Sequence, residues 1–176
     1  MLALRLAYDG ISYFGWAKQP DKATIEGEII RVLQELNFPW KIQAMSRTDR
    51  GAHAIFQVIL CNIPSSALNL VSGKLPEDIK IVAWAKVPFT FHPRKNVIEK
   101  TYLYVAPDFE EKRERIREAL EIINSKEWNY VVLSKRPERS TVMQVKVDVK
   151  FKDDEGLQFF LCYLQIFSAA TSSKIN

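Results

Sequence analysis

The order in which two hydrophobic periodicities alternate along this chain constrains its fold more than any single motif. Leu2, Leu4, Leu6 and Tyr8 alternate with Ala3, Arg5 and Ala7, the period-two pattern of a strand with one buried face. Asp9-Gly10 ends that strand as a turn. Thr24 is placed to cap a helix that carries Ile25, Ile29, Val32, Leu33 and Leu36 on one side, with Glu26 and Glu28 near its positive end. Ile42 to Met45 reads as a short strand, Ser46 to His53 as a loop, and Ala54 to Cys61 as a buried strand. Ser66 to Ser72 follows as a second helix, and Ile79 to Ala85 alternates again. The resulting order, β-α-β-β-α-β, is the split βαβ arrangement: four antiparallel strands, both helices on one side, and the other sheet face free to bind.

The second half begins the same way. Lys100 to Val105 has strand alternation, with Tyr102 and Tyr104 facing one way and Thr101, Leu103 and Val105 the other. Glu110 to Asn124 places Ile116, Ala119, Leu120 and Ile123 at helical spacing. Val145, Val147, Val149 and Phe151 then alternate with polar residues, and Asp153 to Gly156 reads as a hairpin turn into Leu157 to Phe167. The expected architecture is α+β: two ferredoxin-like (split βαβ) halves, 1–98 and 99–176, with antiparallel sheets and a cleft between them. The second half lacks a closing helix and strand and reads as a shortened pseudo-repeat.

Composition narrows the classes of function. At 176 residues and 47% hydrophobic content the chain can bury a core. Cys61 and Cys162 lie far apart in apolar runs and are expected as buried thiols, not as a disulfide or a metal pair. His53 and His92 have no third ligand at sensible spacing, so no metal is expected. The opening MLALRLAYDG is too quickly polar for a secretory signal, and no apolar stretch approaches a membrane span, so a cytoplasmic chain without membrane attachment is expected. The net charge of +4 permits a phosphate-bearing partner without requiring one.

The stretch SRTDRGAHA, Ser46 to Ala54, holds an acid between two arginines. Arg47 and Arg50 flank Asp49 closely enough that the carboxylate is expected as an anion, and Gly51 supplies a residue free to take positive φ. An ionised carboxylate at the edge of a sheet serves as nucleophile or base; it serves equally well as half of an ion pair stiffening a hairpin. Local residues do not separate the two.

Several separated stretches add a resemblance. YDGISYFGWAKQP, TIEGEIIRVL, SRTDRGAHAIFQV, LPEDIKI and FHPRKNVIEKTYLYV, in that order, resemble the successive blocks of the TruA family of tRNA pseudouridine synthases. Arg47, Thr48, Asp49, Gly51, Ala52, His53 and Ala54 fit the family pattern around its aspartate. The blocks run from about Leu6 to Val105; beyond Val105 only WNYVVLSKR and TVMQVKVDV are similar.

The resemblance implies an isomerase that detaches uracil from its ribose in the anticodon arm of tRNA and rejoins it through carbon 5, with no cofactor. It makes Asp49 the essential carboxylate, acting by sugar attack, ring addition or a glycal, among which the sequence does not choose. It implies a flipped-out target base, with Arg47 a candidate to fill the vacated stack and Tyr102 to stack on the base. His53 joins the aspartate loop, and Arg94 of the Phe-His-Pro-Arg block is a candidate phosphate contact. Lys18, Lys22, Arg50, Lys95 and Lys100 complete the expected RNA contacts, and a homodimer is the implied assembly. Phe14 and Trp16 either touch RNA or lid the core. Two departures stand out. Ala17 replaces the family's usual glutamine, and the family's late basic residue has no clear counterpart in FLCYLQIFSAATSSKIN, where Lys174 is the nearby cation. A non-catalytic RNA-binding protein that keeps the fold is therefore the competing reading, and an unrelated RNA-binding ferredoxin-like module is disfavoured by the lack of an aromatic RRM signature.

Overall fold

The structure is a computed structural model that describes residues 1–108, 110–125, 144–154 and 157–167. The similar stretch WNYVVLSKR, the Glu155-Gly156 half of the expected hairpin turn, and the tail from Ser168 with Lys174 lie outside the described residues. Chain contacts divide the protein into two compact units, Met1–Asn96 and Val97–Asn176.

The first unit runs β1 (Leu2–Tyr8), α1 (Ile25–Glu35), β2 (Gln43–Ala44), β3 (Ala54–Cys61), a single 3-10 turn leading into α2 (Leu68–Lys74), and β4 (Ile79–Lys86). Its strands lie in the order β2-β3-β1-β4, with every neighbouring pair antiparallel. This is the strand order of a split βαβ unit. The alternation in β1 has the expected outcome: Leu2, Leu4, Leu6 and Tyr8 are buried and their neighbours half-buried. They pack against Ile25, Ile29, Val32 and Leu33 of α1 and Leu68 and Val71 of α2, so the core lies between sheet and helices. Each aliphatic chain so buried contributes about 1.5–3 kcal/mol. Cys61 lies in this core, where burial pushes its thiol up to about 11; Cys162, expected as buried, is only half-buried.

Two sequence expectations need correction here. Ala54–Cys61 is a strand within the expected bounds, but it is not buried throughout: Ile55 and Phe56 are 82% and 56% exposed, while Gln57 and Ile59 to Cys61 are buried. The ladder explains the switch. Leu6 pairs with Gln57 and Tyr8 with Ala54, so one residue of β1, Ala7, faces two of β3, and this β-bulge turns Ile55 and Phe56 outward. On the other side of β1, Arg5 pairs with Ala83 and Leu6 with Ile81, leaving Val82 as an extra residue in β4. The outer half of β4 is consequently exposed instead of alternating.

The second unit contains β5 (Glu99–Pro107), α3 (Arg113–Asn124, entered through a 3-10 turn at Glu110–Lys112), β6 (Gln144–Asp154) and β7 (Leu157–Phe167). The sheet order is β5-β7-β6, all antiparallel. The helix stripe Ile116, Leu120 and Ile123 is half-buried, whereas Ala119, expected on the same stripe, is exposed. Arg113 and Arg117 lie over the ring of Phe151 at 5.2 and 5.8 Å, which sets α3 on the Val147, Val149 and Phe151 face of the sheet. Among the described residues no helix is long and apolar enough to cross a membrane.

Thr24 gives the fold a direct test. Its hydroxyl accepts from the Gly27 N–H at 3.2 Å while the side chain is buried at the helix start. Thr24→Val keeps the shape and removes the acceptor, so it should lower stability by about 1–2 kcal/mol, with Thr24→Ser losing less. Urea denaturation followed by circular dichroism measures both.

Candidate active site

The Asp49 loop is held by groups that the sequence pattern did not single out. Gln57 is a buried amide at the start of the regular part of β3. Its Oε1 accepts from the backbone N–H groups of Ser46 and Val58 at 3.3 and 3.1 Å, and its Nε2 donates to the Ser46 carbonyl at 3.0 Å. This closes the loop across its base. The Tyr8 hydroxyl, at the end of β1, is 2.8 Å from Thr48 Oγ1. Burial pushes the Tyr8 phenol above its usual range, with Thr48 and Gln57 pulling it partly back. Tyr8 is therefore a neutral hydrogen-bonding strut and not a base.

A second loop, Asp9 to Lys18, clamps the first from the side. Trp16 N–H donates to the Thr48 carbonyl at 3.0 Å, and Gly51 N–H donates to the Tyr13 carbonyl at 3.2 Å. Trp16 itself is 1% exposed and its ring lies 6.1 Å from that of Tyr8, so of the two readings for this residue the core lid holds. Tyr13 is anchored through its hydroxyl, which donates to Asp78 Oδ1 at 2.7 Å. The approach of the loops requires glycine at two points. A Cβ on Gly10 would lie 2.0 Å from the Ala52 carbonyl oxygen. One on Gly15 would lie 2.8 Å from the Thr48 oxygen and 3.1 Å from the Asp49 carbonyl carbon, at a φ of +87° that also favours glycine. Gly51 takes the expected positive φ, +75°.

The result is a carboxylate on a fixed backbone with its side chain in water. Asp49 is exposed, as are Arg47 and Arg50. The expected ion pairing is not found: among the described residues no salt bridge joins Asp49 to either arginine. Arg50 instead sits 4.5 Å over the ring of Phe14, which Lys22 approaches at 4.8 Å. Adjacency in sequence does not bring side chains together in a loop whose backbone turns between them, and the flat guanidinium stacks favourably on an aromatic face. His53 Nδ1 accepts from the Gly10 N–H at 3.3 Å and lies 3.0 Å from Asp9 Oδ1.

The remaining candidates are spread out. Lys18 is exposed and its backbone N–H donates to Glu26 Oε2 at 2.9 Å. Arg94 is exposed, yet its Nε donates to the Ala44 carbonyl at 3.1 Å, which ties the segment after β4 to the edge strand β2. Lys95 is exposed. In the second unit, Tyr102 pairs with Leu164 and Lys100 with Ile166, and Leu164 in turn pairs with Val147. Tyr102, Tyr104 and Lys100 thus share the face on which α3 packs, and Tyr102 and Lys100 are half-buried there. Leu103 and Val105, on the opposite face, are 52% and 64% exposed. Among the described residues no cluster of three or more His, Cys, Asp or Glu side chains could hold a metal ion.

No family model matches the chain, but individual curated proteins do. Over 170 residues it is 34% identical to tRNA pseudouridine synthase A of Methanosphaera stadtmanae, a likeness covering 90% of this chain and 61% of the relative. It is 39% identical over 125 residues to tRNA pseudouridine synthase A of Thermococcus onnurineus (65% of this chain, 46% of the relative). With that of Thermococcus kodakarensis it shares 42% identity over 112 residues (58% and 42%). The chain thus spans between two fifths and about three fifths of the length of these relatives. The first likeness cannot fit within the stretch ending at Val105, so similarity extends into the second half further than the motifs alone indicate.

The loop-on-loop clamp yields a prediction. Gly15→Ala must either move the Thr48–Asp49 backbone or strain its own, so it should destabilise the first unit by about 1–3 kcal/mol. Amide exchange should show lost protection at the Trp16 and Gly51 N–H groups, which donate into the loop contact.

Proposed function

Because the chain belongs to the TruA family of tRNA pseudouridine synthases, we propose that it isomerises uridine to pseudouridine in the anticodon arm of tRNA. One observation carries this reading: a solvent-facing carboxylate, Asp49, in a loop held at Ser46, Thr48 and Gly51 by five hydrogen bonds with Gln57, Tyr8, Trp16 and Tyr13, four of them to the loop's backbone. A hairpin-stiffening ion pair needs a cationic partner, and the described residues give Asp49 none. A reactive carboxylate needs defined position and open access, which this loop supplies.

In this reading the target uridine leaves its stack, because the glycosidic bond is out of reach inside a helix. Arg47, exposed and without an ion-pair partner among the described residues, takes the vacated place. Asp49 acts on the sugar or the ring of the everted nucleotide, and Tyr102 stacks on its base. Arg50, Lys18, Lys22, Lys95 and Lys100 neutralise phosphate, while His53 braces the loop through Asp9 and Gly10. Arg94 contributes less through its Nε, which is already bonded to Ala44. No cofactor is needed, since the isomerisation breaks one bond to uracil and makes another with no net redox change. The working form is a cytoplasmic homodimer.

The test uses tRNA tritiated at carbon 5 of uridine, whose label is freed when the new carbon–carbon bond forms. The chain should release tritium to water, and Asp49→Asn should lower the rate by roughly a thousandfold or more, the scale on which loss of an essential group registers. Affinity for tRNA should stay within about twofold. Binding without release, unaltered by Asp49→Asn, would instead identify a non-catalytic RNA-binding protein.

A further inference from the structure

The bulge in β3 presents a pair of side chains that the reading above leaves unused. Arg5 is on the sheet face away from the helices, since it alternates with the buried Leu4 and Leu6. Its guanidinium lies 3.6 Å from the centre of the Phe56 ring. Phe56 is 56% exposed even so, which leaves it open to solvent beyond the part the guanidinium covers. Arg5 Nε is buried and has no hydrogen-bond partner among the described residues, and a buried donor is costly to leave unmatched. Both strands that flank β1 carry their extra residue at this level, opposite Ala7 on one side and between the partners of Arg5 and Leu6 on the other. Bulges of this kind re-aim side chains beside active sites. Phe56 is also the third residue after His53, on the strand that leaves the Asp49 loop.

We infer that Phe56, backed by Arg5, is a stacking site for an RNA nucleobase next to the target uridine. The inference rests on the proposed activity, which supplies RNA with an everted nucleotide and thereby unstacked neighbours. An aromatic ring accepts the π-face of any base. The guanidinium stacked on it adds positive charge beside the base, where the phosphate backbone passes. This charge favours a polyanion over a neutral apolar protein surface as the occupant. The site sets which flanking base is held best by stacking strength, so it influences substrate choice without touching the reacting atoms.

The experiment compares equilibrium tRNA binding and tritium release for the full chain and for Phe56→Ala, Phe56→Leu, Phe56→Tyr and Arg5→Gln. Phe56→Ala should weaken tRNA binding by about five- to a hundredfold, the range that loss of one base–aromatic stack produces. Phe56→Leu should be nearly as weak, and Phe56→Tyr should recover wild-type affinity. Arg5→Gln should weaken binding and make it less salt-dependent. Thermal melting of each variant controls for folding, and a Phe56→Tyr variant that melts like Phe56→Leu but binds tightly separates stacking from bulk. Wild-type affinity in Phe56→Ala, or full rescue by Phe56→Leu, overturns the stacking site even when tritium release is intact. A wild-type chain that neither binds tRNA nor releases tritium overturns the activity, and the stacking site with it.

Discussion

The feature on which the site depends is the contact between two pieces of backbone: Gly15 against Thr48 and Asp49, repeated nearby by Gly10 against Ala52. At these two points the main chains approach so closely that a Cβ on either glycine would collide with the facing backbone. Such contact fixes position more tightly than side-chain contact, because no rotatable bond intervenes. Around it, Trp16 and Gly51 donate across the interface, and Tyr8 and Gln57 extend the brace into the sheet. The Asp49 loop is thereby tied to the hydrophobic core through Tyr8 and Trp16, two core residues that each hydrogen-bond to Thr48. The glycines of YDGISYFGWAKQP thus do their structural work on another loop.

Much of the first unit is legible because its strands and helix each have one buried face. The alternation in Leu2 to Tyr8 and the stripe in α1 mark both the elements and the core, and Thr24 marks the helix start. AIFQVILC gives the strand but not the bulge: a run that is apolar on both faces carries no phase, so nothing in it says where the phase changes. The bulge is a property of pairing with β1, and the residues that reveal it, Ala54, Gln57, Leu6 and Tyr8, are on two strands. The same limit explains the arginines. Asp49 and its neighbours are adjacent along the chain, yet the partner that Arg50 finds is Phe14, from a loop more than thirty residues earlier in the sequence. Gly10 is visible as a turn residue, but its closeness to Ala52 is a tertiary fact.

The two units do not offer equal precision. In the first, the core runs from Leu2 to Ile79 and supports the loop on which Asp49 stands. In the second, apart from the Asp108 side chain, which is enclosed and paired with Arg113, the residues whose exposure is described are half-buried or exposed, and α3 contributes a half-buried stripe and two arginines over Phe151. A reactive group must be held to a fraction of an ångström, whereas a stacking or charge contact tolerates more movement. The roles proposed for Asp49, Tyr102 and Lys100 are compatible with that difference. The carboxylate belongs to the well-packed unit, with its backbone fixed from several directions. The groups proposed to stack on or neutralise RNA, Tyr102 and Lys100 among them, can be carried by a unit with a thinner core, because a flat ring or a mobile ammonium adjusts to its ligand without losing its effect.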